Sequence, residues 1–143
     1  MKIMAVDYGD TRTGLAMCDR TETLASPVGV IEEKSMAKAA EKIVYASREF
    51  EARMIVLGLP VNMDGSEGAR AQKTRKLGGI LEHIVDIPVE YWDERNTTKH
   101  AETLLGEAGT FGKKRKQTLD AVAAAVILES YLAYRRNKLA QGE

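Results

Sequence analysis

Asp7, Glu94 and Asp120 lie far apart in the chain, yet each stands where an apolar element ends or begins. Asp7 closes the hydrophobic run Ile3-Met4-Ala5-Val6. Glu94 follows Pro88-Val89-Glu90-Tyr91-Trp92-Asp93, and Asp120 opens the apolar stretch Ala121 to Leu128. A carboxylate at the edge of a core is costly unless its charge is compensated. Three that converge repel one another, and a divalent cation is the usual remedy. Oxygen-only ligands favour Mg²⁺ or Mn²⁺ over zinc or copper. These residues therefore point to a metal-dependent enzyme acting on phosphates.

The elements that must bring them together follow from periodicity and turn residues. Lys2 to Asp7 reads as a continuously apolar strand of the kind buried inside a sheet. Gly9 and Gly14 bracket a polar hairpin loop, Asp10-Thr11-Arg12-Thr13, and Leu15 to Cys18 is the returning strand. A third strand is expected over Val28–Glu32, after Pro27. From Ser35 to Phe50 the apolar spacing is helical, with Ala39, Ala40, Ile43, Val44 and Ala46. Met54 to Leu57 is a short buried strand ending at Gly58. Gly65 and Ser66 introduce a polar helix to Ile84 whose middle Gly78-Gly79 weakens. Val89 to Trp92 is the fifth strand. Asn96 or Thr97 caps a helix carrying Ala101, Leu104 and Leu105. A glycine-rich basic loop, Gly109 to Lys116, leads into the terminal helix.

This order predicts an α/β fold with a five-stranded mixed sheet, three antiparallel strands followed by two parallel ones, flanked by helices. Helical crossovers return the chain in the same direction. Strands one, four and five then run alike, which puts Asp7 and Glu94 at the carboxyl edge, where open α/β sheets bind ligands. Asp120 shares a helical face with Ala124, Ile127 and Tyr131, turned to the core side. Asp93 and Glu94 are adjacent, so only one of them faces the site. Glu94, with its longer stem, is the expected ligand, and Asp93 is left to pair with Arg95 or to cap a helix.

At 143 residues the chain is expected to be one domain, 1–143. Its 44% hydrophobic and 29% charged content is that of a soluble globular protein, and Ala121–Leu128 is too short to span a membrane. A single cysteine, Cys18, allows no internal disulfide and reads as a small buried hydrophobe in a reducing cytosol. No charged-then-apolar leader precedes the first strand, so a cytoplasmic location is expected.

Net charge is zero but unevenly spread. Residues 110–138 hold seven basic residues against two acidic, a net of +5, while the preceding 109 residues carry a net of −4. Lys113, Lys114, Arg115 and Lys116 either hold a phosphate backbone beside the acids or form a solvated face. Arg135, Arg136 and Lys138 complement the helix dipole. Arg12 and Arg95 lie beside the acids in sequence and are candidates to orient a phosphate. The long Gly58–Gly68 loop offers glycines for close backbone approach and polar tips at Asn62, Ser66 and Glu67. Arg70 and Lys73 are further candidates for phosphate contact. His83 and His100 lack metal-ligand spacing, and Trp92 reads as core.

The pattern Asp7-Tyr8-Gly9…Arg12-Thr13-Gly14 with Asp19, then Gly58-Leu59-Pro60 through Gly68, Asp93-Glu94-Arg95-Asn96-Thr97-Thr98, and Asp120-Ala121-Val122-Ala123-Ala124 closely resembles the YqgF family. These proteins, also called RuvX-like, are known as pre-16S rRNA nucleases and Holliday junction resolvase-like proteins. The resemblance covers nearly the whole chain. It implies an RNase H-like fold and a nuclease that trims the 5′ end of the small-subunit rRNA precursor, or resolves four-way DNA junctions, leaving 5′ phosphate and 3′ hydroxyl ends. Its implied site is Asp7, Glu94 and Asp120 as catalytic, metal-holding residues. Two Mg²⁺ or Mn²⁺ ions would be bridged by Asp7 at roughly 3.5–4 Å. Read from their charge and position rather than from the resemblance, Arg12, Asn62, Arg70, Arg95, Lys113, Lys114 and Lys116 are the residues expected to contact substrate. Partners would be nucleic acid (pre-rRNA or branched DNA) and the ribosomal small subunit, with no membrane, and the chain a monomer or homodimer. Two departures stand out: Asn96 replaces the family's usual leucine, and the fourth strand lacks the acid that RuvC resolvases carry at its end. Actin-like or sugar-kinase ATPase chemistry shares the Asp-x-Gly turn but needs two such domains. A non-catalytic RNA-binding module is the third reading.

Overall fold

The computed structural model describes residues 1–96 and 112–142, the side chains of 112–118 excepted. Its strands are β1 (Ile3–Asp7), β2 (Arg12–Cys18), β3 (Ala25–Glu32), β4 (Met54–Leu59) and β5 (Val89–Asp93). Its helices are α1 (Met36–Glu49), α2 (Ala69–Ile84) and α3 (Gly112–Ala140), with one 3₁₀ turn at Glu94–Asn96. The sheet order is β3-β2-β1-β4-β5. β1 pairs antiparallel with β2, and β2 with β3, while β1–β4 and β4–β5 are parallel. The mixed sheet expected from the sequence is thus the one formed.

Alternation along the strands divides the core into two layers. Met4, Val6, Leu15, Met17, Ile55 and Leu57 pack against Ala40, Ile43 and Val44 of α1 and Leu77 and Leu81 of α2. Ile3, Ala5, Ala16, Met54 and Val56 face the other way, against Ala124, Ile127, Leu128 and Tyr131 of α3. β1 and β4 are covered on both faces, which is why they read as unbroken apolar runs. The same parity sends Asp7, Gly58 and Trp92 towards α3. Trp92 is held edge-on by Tyr131 at 5.6 Å between ring centres, a core position as expected. Cys18 is buried and free. His83 is exposed on α2, its Nδ1 2.8 Å from the Gly79 carbonyl. No helix among the described residues is long and apolar enough to cross a membrane.

Several boundaries differ from expectation for identifiable reasons. β3 starts at Ala25, before Pro27. Pro27 sits on an edge strand beside the register shift opposite Leu15 and Ala16, where a missing N–H is tolerated. β2 starts at Arg12, because Arg12 and Thr13 already pair with Glu32 and Ile31. β4 runs through Gly58 to Leu59, paired with Trp92 and Asp93. α2 begins at Ala69, not at Gly65-Ser66. Asp64 accepts hydrogen bonds from the Ser66 N–H and Oγ, and Gly65 has φ +89°, so these residues form a turn. Nor is α2 interrupted at Gly78-Gly79. A side chain at Gly78 would collide with the Tyr91 hydroxyl, so that glycine admits the phenol, which donates to the Arg75 carbonyl. Gly112–Lys116 belongs to α3, not to a loop, and Asp120 therefore lies two turns inside the helix rather than in its first turn. The expected helix over Ala101–Leu105, and His100, lie outside the described residues.

Candidate active site

Asp7 ends β1 beside Gly14 of β2, its antiparallel partner. A Cβ on Gly14 would meet the Asp120 carbonyl, so α3 rests directly on the β2 backbone there and brings Asp120 close to Asp7. On the other side of β1, β4 ends at Gly58-Leu59. A Cβ on Gly58 would stand 3.1 Å from Glu94 Oε1 and 2.4 Å from Ile127 Cδ1. The missing side chain at Gly58 is the space into which the Glu94 carboxylate folds, over the sheet edge and towards Asp7. Neither glycine's role is marked in the sequence beyond its place in a motif, because both depend on where α3 lands.

The carboxylates bear the marks of forced proximity. Asp7 is pushed up to about 7, first by burial, then by the charges of Glu94 and Asp120, with Arg70 opposing. Glu94 is also raised, by burial first, with Arg70 opposing and Asp93 adding to the rise. No hydrogen bond from the described residues reaches either carboxylate. Asp93 is in a different state: Arg95 holds it through Nε at 3.0 Å, Nη2 at 2.7 Å and its backbone N–H at 2.9 Å. Those contacts lower the Asp93 carboxyl from its ordinary value. Of the adjacent pair, Glu94 alone faces Asp7.

Asp120 is not free either. Arg12 Nε donates to its Oδ2 at 3.0 Å, so two expected site residues, 108 positions apart, engage each other. Among the described residues no three acidic, histidine or cysteine side chains are spaced to hold one cation as they stand. The donor set nonetheless fits one: Asp7 and Glu94 are oxygen ligands destabilised by their own charge, which a divalent cation relieves.

Arg70, from the first turns of α2, acts on both Asp7 and Glu94 and makes no ion pair among the described residues. It borders a cleft of about 530 Å³ shared with Asn62, Met63, Glu94 and Arg95. Arg95 spans the cleft, donating from Nη1 to the Met63 carbonyl at 3.4 Å. The loop's polar tips are largely spent on the loop itself. Asn62 Nδ2 donates to Ser66 Oγ, and Glu67 pairs with Arg75. Asp19 lies away from the site: it accepts from the N–H groups of Thr23 and Leu24 and is lowered to about 2, a turn-forming role. Of Lys113, Lys114 and Lys116, only the helical backbone is described.

A mixed sheet of this order, flanked by helices on both faces, is an RNase H-like fold. It superposes on Thermus thermophilus RuvC in complex with Holliday junction substrate with TM-score 0.59 at 13% identity, over 94% of this chain and 96% of that one. The fowlpox virus resolvase with its Holliday junction DNA gives 0.59 at 12%, over 94% and 99%. At such identities the likeness is one of fold. The sequence profile of the RuvX family, described as Holliday junction resolvase, matches residues 1–134. The chain belongs to the RuvX family. A relative from Halothermothrix orenii, named "Putative pre-16S rRNA nuclease", is 45% identical over 139 residues, 97% of this chain and 99% of its own. Another of that name, from Syntrophomonas wolfei, is 38% identical over 132 residues, covering 92% and 94%.

Proposed function

We propose that the chain is a cytoplasmic nuclease that hydrolyses phosphodiester bonds and trims the 5′ end of pre-16S rRNA on the small-subunit precursor. The observation that carries this reading is the pair Asp7 and Glu94. They are half-buried, raised, without hydrogen-bond donors among the described residues, and faced by Arg70, which makes no ion pair among those residues. Two carboxylates kept at such cost on the ligand-binding edge of the sheet are not needed to hold the fold. The names of the relatives support rRNA as the substrate.

Asp7 and Glu94, with Asp120, are the residues that would hold Mg²⁺ or Mn²⁺, two ions in this reading, which would supply an activated water and charge stabilisation at the leaving oxygen. Arg70 draws the scissile phosphate over the carboxylates and neutralises part of its charge. Arg95, braced by Asp93, and Asn62 line the approach for one flank of the strand. Arg12 restrains Asp120 and is the group that must yield if Asp120 is to turn to a cation. Lys113, Lys114 and Lys116 add positive charge ahead of Asp120 for the flanking backbone.

A second reading, cleavage of four-way DNA junctions, is favoured by the family's description and would require a symmetric pair of chains. The test is a cleavage assay in Mg²⁺ or Mn²⁺ offering a 5′-extended 16S rRNA fragment and a four-way junction side by side, with wild type and Asp7→Asn. Cutting of the RNA alone, lost in the variant, is expected. Cutting of the junction alone would transfer the assignment to a resolvase, and binding of RNA without any metal-dependent cutting would make it a binding module.

A further inference from the structure

Arg70 borders two hollows. One is the cleft it shares with Asn62 and Arg95. The other is a smaller hollow of about 90 Å³ on its far side, lined by Tyr8, Gly9, Asp10, Arg70 and Lys73. Arg70, which acts on both Asp7 and Glu94, is common to the two hollows and so links the second one to the carboxylate pair. It is an open hollow large enough for a small anionic group. Its lining suits such a group: two cations, a phenol that can donate, and a glycine, against one acid.

That acid is weakly committed. Lys73 Nζ lies 3.1 Å from Asp10 Oδ1, and both side chains are largely exposed, 52% and 73%. An exposed ion pair of this kind is worth little, so Lys73 can exchange Asp10 for another anion at small cost. A nucleic-acid strand whose scissile phosphate sits at Arg70 must place its next phosphate to one side or the other. On one side stand Asn62 and Arg95; on the other, this hollow.

We infer that Tyr8, Lys73 and the far side of Arg70 form a second phosphate subsite, which receives the phosphodiester adjacent to the one cut, with Asp10 as an internal counter-ion displaced on binding. The inference rests on the nuclease reading and adds to it a path for the strand across Arg70. Lys73 is a positioning residue for substrate and takes no part in bond cleavage.

Binding of a fluorescent 12-nucleotide single-stranded RNA, followed by anisotropy from low to moderate salt, tests it without requiring cleavage. Lys73→Gln is expected to raise Kd roughly two- to fivefold, the range of one exposed charge contact. It should also reduce the slope of log K against log salt by about 0.7, the value for one phosphate on a single strand. Asp10→Asn should act in the opposite sense and tighten binding, since it frees Lys73. Arg53→Gln, just before β4 at the other edge of the sheet, should leave the slope unchanged. If the ion pair is merely structural, Asp10→Asn and Lys73→Gln will weaken binding alike, and that result overturns the subsite. An unchanged slope in Lys73→Gln, with wild type binding normally, overturns it too and leaves the nuclease reading intact. Failure of the wild type to bind RNA at all would remove both.

Discussion

Replacing Asp7 by Asn should make the protein more stable while abolishing its activity. Burial, with Glu94 and Asp120 nearby, pushes the native carboxyl up from 3.8 to about 7. At about 1.36 kcal/mol per unit the charged form costs the fold at most about 4 kcal/mol, and relaxation or water entry would leave about 2–4 kcal/mol. The sign follows from proton binding. Between about pH 4 and pH 7 the folded state holds a proton at Asp7 that the unfolded chain has lost. Wild-type stability therefore falls as pH rises through that window and levels off above about 7. Asn carries no such penalty, so the two proteins should nearly coincide at pH 4 and diverge to the full difference at pH 8. For a chain of this size about 4 °C per kcal/mol gives a gain in Tm of roughly 8–16 °C. Groups such as Asp19 titrate in both proteins and cancel in the comparison. The assay is thermal melting by circular dichroism at pH 4 to 8 in EDTA, repeated with Mg²⁺. Added Mg²⁺ should raise the wild-type Tm at pH 8 and leave Asp7→Asn nearly unmoved, because a ligand stabilises only the fold that binds it. Equal or lower stability of Asp7→Asn at pH 8 in EDTA would refute the view that Asp7 is a strained, cation-seeking carboxylate.

Two further outcomes follow from the packing around the carboxylates. Gly58→Ala should destabilise by about 1–3 kcal/mol in urea unfolding, because the new methyl must displace Ile127 and crowd Glu94. It should also lose most cleavage activity at temperatures where it remains folded, whereas a purely packing role would leave activity in proportion to folded protein. Arg95→Ala should raise KM for RNA with little change in Tm, since it releases Asp93 and the Met63 end of the loop at an exposed position.

The sheet was legible because β1 and β4 are buried on both faces and say so in unbroken apolar runs. Period-two parity from Ile3 and Ala5 carries through to Asp7. Adjacency said that only one of Asp93 and Glu94 could face the site, and the choice of Glu94 rested on its longer stem, since it lies in the 3₁₀ turn past the end of β5 where strand parity no longer applies. The core face of the last helix was readable too, since Ala124, Ile127 and Tyr131 are all buried as their spacing with Asp120 implies. What escaped the sequence depended on partners distant along the chain or on local turn chemistry. Arg12 drew notice because it lies beside the acids in sequence; that it also pairs with Asp120, 108 positions on, could not be read from the chain. Gly65-Ser66 was read as introducing the helix, but Asp64 accepts from the Ser66 N–H and Oγ and makes a turn there instead. Gly78 looked like a flaw in α2 because the phenol that fills its place arrives from β5.

The close seating of Asp120 over Gly14 has a consequence for how the enzyme comes into being. Asp7 is made early and Asp120 more than a hundred residues later, so at roughly 5–20 residues per second the nascent chain spends roughly 6–23 s with one carboxylate synthesised and the other not. Until α3 has been made and has docked on β2, the carboxyl edge lacks Asp120 and the helix that covers Asp7's face of the sheet. On the proposed reading, a protein that cuts ribosomal RNA is thereby kept harmless while still attached to the ribosome that is building it.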